Sequence, residues 1–310
     1  MAKEGRSIVE ITQGRSVWLH LSATGPKELD VLRRRFRFPE RDLRDIPPPT
    51  QRPKAVLRDD YVFIILLFPY FDRAKKEVQI TEADFFVGKD YFVTVNQGNR
   101  VRVLTETVEQ CAGDPAERRT RLSTTPLQVF TYVLGEMLSD VFPMLVHIGE
   151  DIDNLERDLF DAQNTRLIHD ILRVKTNVTN CRRAMLAYKH VIERINMHGS
   201  PVGKIPDAEQ HRLLDMAKEI WNLLENHKET LDALQETNIA LISMRTNEVM
   251  RTLTVFSVIL LPLTLISGLF GMNTEFAPFL HSPYGFWIVL GLMSCVAAAL
   301  AVYFRKRRWF

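Results

Sequence analysis

The first part of the chain alternates short apolar runs with polar residues. Val17–Leu21 alternates with a period of two, which predicts a half-buried strand, and Tyr61–Phe68 is continuously apolar, which predicts a central strand. Val78–Val87 and Tyr91–Val95 flank a short turn and predict a hairpin. Because helical spacing also occurs between these runs, residues 1–125 are predicted to form an α/β domain.

From Pro126 the apolar residues follow the three-and-four spacing of long helices. One helix is predicted over Leu127–Asn164, broken or bent near Pro143, because proline lacks an N–H and its ring clashes with the preceding turn. A second helix is predicted over residues 165–198 and ends at a turn that contains Gly and Pro. Residues 126–206 are therefore expected to form a hairpin of long helices.

A third helical pattern starts at Asp207 and contains neither Gly nor Pro before Pro262. It predicts a stalk helix, residues 207–252, that continues without a break into an uncharged stretch, residues 253–272. A second uncharged stretch covers residues 284–304, and both are long enough to cross a bilayer as helices. The alternative is a buried hairpin in a soluble core, although two such stretches seldom occur together in soluble proteins.

Basic residues flank the two predicted spans on the same side. Arg245 and Arg251 precede the first span, and the basic tail, residues 305–310, follows the second. The connecting loop, residues 273–283, contains Glu275 and no Lys or Arg. Because cytoplasmic loops carry the excess of Lys and Arg, both termini are predicted to face the cytoplasm. The N-terminus also lacks an apolar signal region, so the large N-terminal part is predicted to stay in the cytoplasm. With its two spans, the chain is predicted to be a multi-pass protein of the cytoplasmic (inner) membrane.

Small and polar residues form one stripe along the stalk helix and the first span. They recur every three or four positions and therefore share one helix face: Asn247, Met250, Thr254, Ser257, Leu261, Thr264, Gly268 and Gly271. Small residues favour close packing between membrane helices, and polar residues can equally line a pore. Both interpretations remain open at this point. The second requires an oligomer, since two helices cannot enclose a pore.

Composition excludes several other classes of protein. The net charge of +2 is too small to indicate a nucleic-acid partner. The three cysteines lie far apart without a CxxC spacing, which argues against disulfides and a zinc cluster. The chain contains no nucleophile motif, no phosphate-binding glycine loop and no HExxH motif, so it is not predicted to be an enzyme.

The tripeptide Gly271-Met272-Asn273 stands at the outer end of the first predicted span. In that position it resembles the GMN signature of the CorA family of divalent-cation transporters. Other segments resemble the family in the same order along the chain: Gln51–Lys54, Asp60–Ile64, Gly88–Val95, Asp140–Pro143, Ile152–Glu156, Thr246–Met250, Leu261–Thr264 and Tyr284-Gly285. The resemblance covers nearly the whole chain.

The resemblance implies a funnel-shaped homo-oligomer, a pentamer, that moves Mg2+ and also Co2+ or Ni2+ through a pore formed by the first span. The selectivity filter would consist of Gly271, Met272, Asn273 and Glu275. Magnesium prefers hard oxygen ligands and keeps its water, so a ring of Asn273 side-chain and Gly271 backbone oxygens suits a hydrated ion. The pore wall would include Asn247, Met250, Ser257, Leu261, Thr264 and Gly268.

A cytoplasmic regulatory site is also implied by the resemblance, with one departure. In magnesium-gated relatives, a stalk carboxylate pairs across a subunit interface with a carboxylate on the α/β domain. Asp72 occupies the domain position, but the stalk position holds Arg212, with Asp215 one turn later. Either a salt bridge of Arg212 replaces the bridging metal, or Asp215 takes the carboxylate's place.

Two alternative functions remain open. A ZntB-type zinc transporter has the same fold, and the altered regulatory position leaves room for Zn2+ as the transported ion, whereas Glu275 favours Mg2+. A membrane-anchored sensor or scaffold without conduction would account for two spans and a large domain. It would not account for a polar stripe that ends in the GMN motif.

Overall fold

The computed structural model of the chain describes residues 7–48, 51–122, 125–159, 167–196, 200–272 and 284–307. The chain divides into two compact units. We call Met1–Gln235 the sheet unit and Glu236–Phe310 the C-terminal unit. Each unit is described separately below. The predicted loop, with Asn273 and Glu275, lies outside the described residues.

Six strands form one sheet in the sheet unit. Their bounds are β1 Ile8–Gln13, β2 Ser16–Leu21, β3 Lys54–Leu57, β4 Tyr61–Asp72, β5 Glu77–Gly88 and β6 Tyr91–Val95. The strand order is β1-β2-β6-β5-β4-β3, in which β2 and β6 are parallel and the other neighbours antiparallel. The predicted strands and hairpin are confirmed, and so is the α/β class of this part of the chain.

Helices cover both faces of the sheet. On one face, α1 (Pro26–Phe36) and α2 (Glu40–Leu43) close a cluster in which Phe38 stacks on Phe86 with ring centroids 4.2 Å apart. On the other face, Phe130 of α5 (Pro126–Asp158) meets the ring of Phe85 edge-on. The remaining helices of this unit are α3 (Arg102–Gly113), α4 (Pro115–Leu122), α6 (Leu167–Met185) and α7 (Tyr188–Ile195).

The helix that was predicted to be broken or bent near Pro143 is not broken there. Helix α5 continues through Pro143 for a total of 33 residues. Its Thr125 cap exchanges hydrogen bonds with Gln128, which satisfies N–H groups that the first turn leaves free. Buried residues on both sides of the proline, Val141 and Leu145 among them, hold the helix against the sheet unit's core. This packing offsets the hydrogen bond that proline cannot donate.

The helix predicted over residues 165–198 is instead two helices, α6 and α7, with an interruption at Leu186 and Ala187. Directly after the interruption Tyr188 is fully buried, and its hydroxyl donates to the carbonyl of Leu67 on β4 at 3.0 Å. Neither Gly nor Pro marks this position, so nothing in the helical spacing indicates it.

The predicted continuous helix is confirmed as α8 (Asp207–Phe270), and it contains Pro262. With 64 residues, it is about 96 Å long at 1.5 Å per residue. Up to Gln235 it belongs to the sheet unit, where Leu213, Ile220 and Leu224 are buried. The last helix is α9 (Gly285–Lys306).

Three described helices are long and apolar enough to cross a membrane: α5, α8 and α9. The most apolar window of α5 is 56% buried inside the protein, whereas those of α8 and α9 are only 6% buried. The apolar side chains of α5 are therefore part of the core of the sheet unit. Those of α8 and α9 are uncovered in a single chain, as expected for surfaces that face lipid or other copies.

Candidate functional site

The residues of the predicted stripe, which include the six predicted pore residues, lie on the part of α8 that belongs to the C-terminal unit, except Gly271, which directly follows the helix. Because they are three or four positions apart on one helix, they share a face, which we call the polar stripe. All of them are exposed in the single chain: Asn247, Met250, Thr254, Ser257, Leu261, Thr264, Gly268 and Gly271. The exposed fraction reaches 58% at Met250 and 69% at Leu261. The structure thus leaves the whole stripe free of contacts that would bury it.

The hydroxyl groups of the polar stripe donate to their own helix. Thr254, Ser257 and Thr264 donate to the carbonyls four residues earlier at 2.7, 2.9 and 2.8 Å. Each hydroxyl has one proton and two acceptor lone pairs. Since the proton is used within the helix, the oxygen that faces outward can only accept. The stripe therefore offers hydrogen-bond acceptors to whatever lies against it.

The C-terminal half of the stripe forms a shallow hollow of about 450 Å³ on the surface of α8, lined by Leu261, Thr264, Leu265, Gly268, Leu269 and Met272. A side chain at Gly268 would meet no atom within 4 Å in the single chain. A small residue at an uncrowded position is consistent with close approach by another helix or with a passage. The hollow does not by itself decide between them.

Helix α8 ends at Phe270, directly before the GMN motif, and its last carbonyl groups accept from the first two residues of that motif. The Gly271 N–H donates to the Ser267 carbonyl, four residues earlier, at 2.8 Å. The Met272 N–H donates to the Leu269 carbonyl, only three residues earlier, at 3.4 Å, so the chain tightens after the helix. A Cβ at Gly271 would lie 3.0 Å from the Ser267 carbonyl oxygen, which explains why glycine suits this position. Asn273 and Glu275, the other predicted filter residues with side-chain oxygens, lie outside the described residues.

The ends of α8 and α9 enclose a second cavity within the C-terminal unit. It measures about 380 Å³ and is lined mainly by apolar side chains: Ser267, Phe270, Gly271, Gly285, Phe286, Val289, Leu290 and Met293. Apart from Ser267, its lining offers no side-chain oxygen. This cavity is suited to packing or lipid rather than to a hydrated cation.

Two of the three residues of the predicted regulatory site, Asp72 and Arg212, each have a hydrogen-bond partner nearby in their own chain. The Asp72 carboxylate accepts from the backbone N–H groups of Ala74 and Lys75 at 2.9 and 3.2 Å, in the turn after β4. The Arg212 guanidinium donates to both carboxylate oxygens of Glu209 at 3.0 and 2.6 Å. This pairing raises the pKa of Arg212. Asp215 is exposed one turn further along α8.

Gly135 on α5 makes room for the Arg212 side chain. A Cβ at Gly135 would lie 2.6 Å from Nη2 of Arg212. Arg212 is thus held against α5 and Glu209 and is not paired with Asp72 within one chain. The predicted contact between these two residues joins different subunits and stays a prediction.

A pair of carboxyl groups was missed by the sequence analysis. Glu82 and Asp84 lie on the same face of β5 as Ile80 and Phe86, and only 2% of the Asp84 surface is exposed. Two acidic residues on the apolar face of a strand are a signal that the period of two makes visible. Among the residues that the structure describes, no group of three or more His, Cys, Asp and Glu side chains could hold a metal ion.

Comparison with known proteins gives consistent matches over nearly the whole chain. The profile of the CorA-like Mg2+ transporter protein family matches residues 13–306. The cobalt/magnesium transport protein CorA of Thermotoga maritima is 26% identical over 302 residues, which cover 94% of this chain and 83% of that protein. The zinc transport protein ZntB of Pectobacterium carotovorum is 21% identical over 301 residues, which cover 94% of this chain and 87% of that protein.

A solved structure, the complete CorA magnesium transporter from Methanocaldococcus jannaschii, is similar with a TM-score of 0.82 at 16% identity. The similarity covers 97% of this chain and 94% of that one. At this level of identity the likeness establishes the fold. The α/β domain, the long helices and the two C-terminal apolar helices thus all have counterparts in one known architecture.

Proposed function

The chain belongs to the CorA-like Mg2+ transporter family, and from that premise we propose that it moves Mg2+ across the cytoplasmic membrane through a pore lined by the polar stripe. The family is one of transporters and not of enzymes. Co2+ and Ni2+ are proposed as further transported ions. Both termini of the chain are placed in the cytoplasm, as the flanking Arg and Lys residues favour.

The observation that carries this proposal is that the hydroxyl groups of the stripe donate to carbonyls of their own helix, which we call back-bonded. Magnesium gives up its water reluctantly and travels with several water molecules attached. Those waters present hydrogen atoms outward, so a wall that offers acceptors stabilises the hydrated ion. Thr254, Ser257 and Thr264 offer such oxygens at successive levels of α8. Between Glu236 and Met272 the chain has no His or Cys, the ligands that zinc prefers.

The pore requires several copies of the chain. One chain supplies a single stripe, which is exposed along its whole length. Polar groups that face lipid are costly, so copies are expected to turn their stripes toward a common axis. We propose five copies, as the family resemblance implies. Met250 and Leu261 would then form two apolar rings that close the pore by excluding water.

The entrance is proposed at the GMN motif. Five Asn273 side chains and five Gly271 carbonyls would form a ring of oxygens around the hydrated ion, with Met272 completing the motif. Glu275 beside the ring would raise the local concentration of cations.

Two threonines of α8 offer a matched test of the stripe. Thr252 and Thr254 both donate to a carbonyl one turn earlier, at 3.0 and 2.7 Å, and both are exposed in the single chain. They lie about 200° apart around the helix, so only Thr254 belongs to the stripe. Valine has nearly the same shape as threonine but lacks the oxygen.

We expect Thr254→Val to lower Mg2+ flux into proteoliposomes at least about fivefold, as the loss of about 1 kcal/mol of hydrogen bonding at the wall would. Thr252→Val should retain the flux of the unmodified protein. The flux is read with an enclosed Mg2+-sensitive dye under an inside-negative potential. Equal flux through both variants, at equal oligomer content, would exclude the stripe as the pore wall.

Zinc transport is the second candidate function. The observation that favours it is Arg212, whose positive charge stands where magnesium-gated relatives have a stalk carboxylate. The same proteoliposomes should therefore be loaded with a zinc dye and tested side by side. Faster flux of Zn2+ than of Mg2+ under equal driving force would favour zinc as the transported ion. Flux of neither ion through a correctly assembled oligomer would favour a non-conducting sensor.

A further inference from the structure

Two carboxyl groups interrupt the apolar face of the sheet. On β5 the residues Ile80, Glu82, Asp84 and Phe86 point to the same face, since alternate residues of a strand share a face. Phe86 belongs to the core cluster, and so do Ile65 and Val95, the register partners of Asp84 on the two neighbouring strands. Asp84 therefore lies in the middle of the sheet, inside an otherwise apolar layer.

A cavity of about 420 Å³ lies beside these carboxyl groups. Glu82, Asp84, Thr81 and the amide-bearing Gln97 contribute polar groups to its lining. Oδ1 of Asp84 is buried and has no hydrogen-bond partner among the described residues. A buried polar atom without a partner costs free energy, so native structures seldom retain one without a ligand or water.

The positive side chains near the cavity are engaged elsewhere and do not pair with the two carboxyl groups. Lys54 on β3 is the nearest ammonium group, and it is bonded to Asp45. Arg100 lines the cavity, but its guanidinium lies over the ring of Tyr70, 5.6 Å from the centroid. Glu82 accepts one hydrogen bond from the backbone N–H of Gln51. Two carboxylates in this place would therefore repel each other without full compensation.

Glu82 and Asp84 lie two residues apart on one face of β5, so their charges would act on each other. Burial, followed by the charge of Glu82, raises the pKa of Asp84 well above its ordinary value. Burial also raises the pKa of Glu82. Without a bound cation, the buried Asp84 carboxyl therefore retains its proton, because an unpaired charge in an apolar layer is costly and like charges this close cannot both ionise at low cost.

We propose that Glu82 and Asp84 bind a hydrated Mg2+ ion in this cavity and that the ion displaces the proton which the buried Asp84 carboxyl otherwise retains. The exchange is balanced: Mg2+ enters, the O–H bond of Asp84 breaks, and the proton leaves to solvent. Gln97 and Arg100 are exposed at the cavity wall and mark the side from which solvent reaches it.

The cavity fits this ion better than a dehydrated one. Magnesium is commonly held by one or two carboxylates and keeps several water molecules. Six waters occupy about 180 Å³ at about 30 Å³ each, well within the volume of the cavity. The absence, among the described residues, of a third His, Cys, Asp or Glu arranged with this pair disfavours a closed zinc cage. The site is independent of the proposed pore, of Asp72 and of Arg212.

The test uses the full-length protein in detergent at neutral pH and reads the proton directly. Infrared difference spectra should show the stretching band of a protonated carboxyl group, which is absent from Asp84→Asn. Adding Mg2+ should remove that band from the unmodified protein and release about one proton per chain into a weakly buffered solution. Asp90→Asn is the matched control, because Asp90 is an exposed aspartate on the adjoining turn. It should behave like the unmodified protein.

Glu82→Gln separates ion binding from proton storage. It retains the shape of the side chain and removes one anionic ligand, so the Asp84 band should remain while Mg2+ no longer abolishes it. The proposal is overturned if saturating Mg2+ leaves the band of the unmodified protein in place. It is equally overturned if Asp84→Asn releases as many protons as the unmodified protein. Neither measurement depends on transport, so failure here leaves the proposed function untouched.

Discussion

The sheet unit and the C-terminal unit use the same kinds of side chain in opposite ways. In the sheet unit Phe63 and Phe86 are fully buried, whereas Phe256 on α8 is 56% exposed. The hydrogen bonds of polar side chains also differ between the two units. Asn177 of α6 accepts from the backbone of Val78 on β5 at 2.8 Å, and so ties one element to another. Thr254 bonds only to its own helix.

This difference shows what each unit needs in order to be stable. The sheet unit satisfies its apolar and polar groups within one chain, so its core can form without a partner. In the C-terminal unit, the hydroxyls of Thr254, Ser257 and Thr264 bond within α8, and the apolar surfaces of α8 and α9 are uncovered in one chain. Such helices are stable in lipid, and their final packing comes from neighbouring copies. The comparison can be tested at both units.

The largest expected effect concerns the end of the polar stripe. Asn273→Ala should reduce Mg2+ flux into proteoliposomes by at least tenfold, because the proposed ring of oxygens at the entrance is lost. Assembly should be unchanged, since the stripe and the apolar surfaces remain. Light scattering of the detergent-solubilised protein checks assembly. Unreduced flux through a correctly assembled variant would contradict the proposed filter.

The next effect compares one substitution in the two units. Phe86→Ala should lower the free energy of unfolding by about 3–5 kcal/mol, because it opens a cavity in the buried cluster. Phe256→Ala should lower it by less than about 1 kcal/mol in detergent, because the side chain is more than half exposed in one chain. Denaturant titration followed by Trp fluorescence measures both. Equal losses would mean that copies bury Phe256 as tightly as the sheet buries Phe86.

The smallest effect on stability is expected at Arg212. Its bond to Glu209 is an exposed pair on one helix, worth about 0–1 kcal/mol. Arg212→Asp should therefore hardly change the unfolding free energy. It should, however, increase the protection that Mg2+ gives against limited proteolysis, since a fixed positive charge that repels the ion is replaced by a carboxylate near the predicted Asp72 contact. Strong Mg2+ protection of the unmodified protein would show instead that Asp215 completes the site.

Periodicity explains which elements were predictable. The central strands and the long α8 helix were predicted because many successive residues repeat one pattern. The edge strands β1 and β3 were missed; β3 has only four residues and its burial is partial, so it leaves a weak pattern. The interruption before Tyr188 could not be predicted from periodicity, because the hydrogen bond from the Tyr188 hydroxyl to the Leu67 carbonyl joins residues far apart in the chain.

The candidate site was predictable only in part for a related reason. Spacing alone placed the stripe on one face of α8. It could not show that the hydroxyls donate to the helix, because that depends on side-chain rotamers. The Arg212 bond to Glu209 is local and was readable from the three-residue spacing. That Arg212 lies over Gly135 depends on how two distant helices pack, which spacing does not contain.

The back-bonded hydroxyls of α8 have a consequence for the sign of the permeating charge. An anion is solvated by donated protons, and these hydroxyls have none left to donate. In the proposed pore, a wall of this kind would solvate cations and leave chloride unsolvated without using any fixed negative charge. For the same reason the threonines and serine cannot pass a proton from one to the next unless a helix bond first breaks. The wall of the proposed pore would thus allow cation transfer without proton conduction along α8.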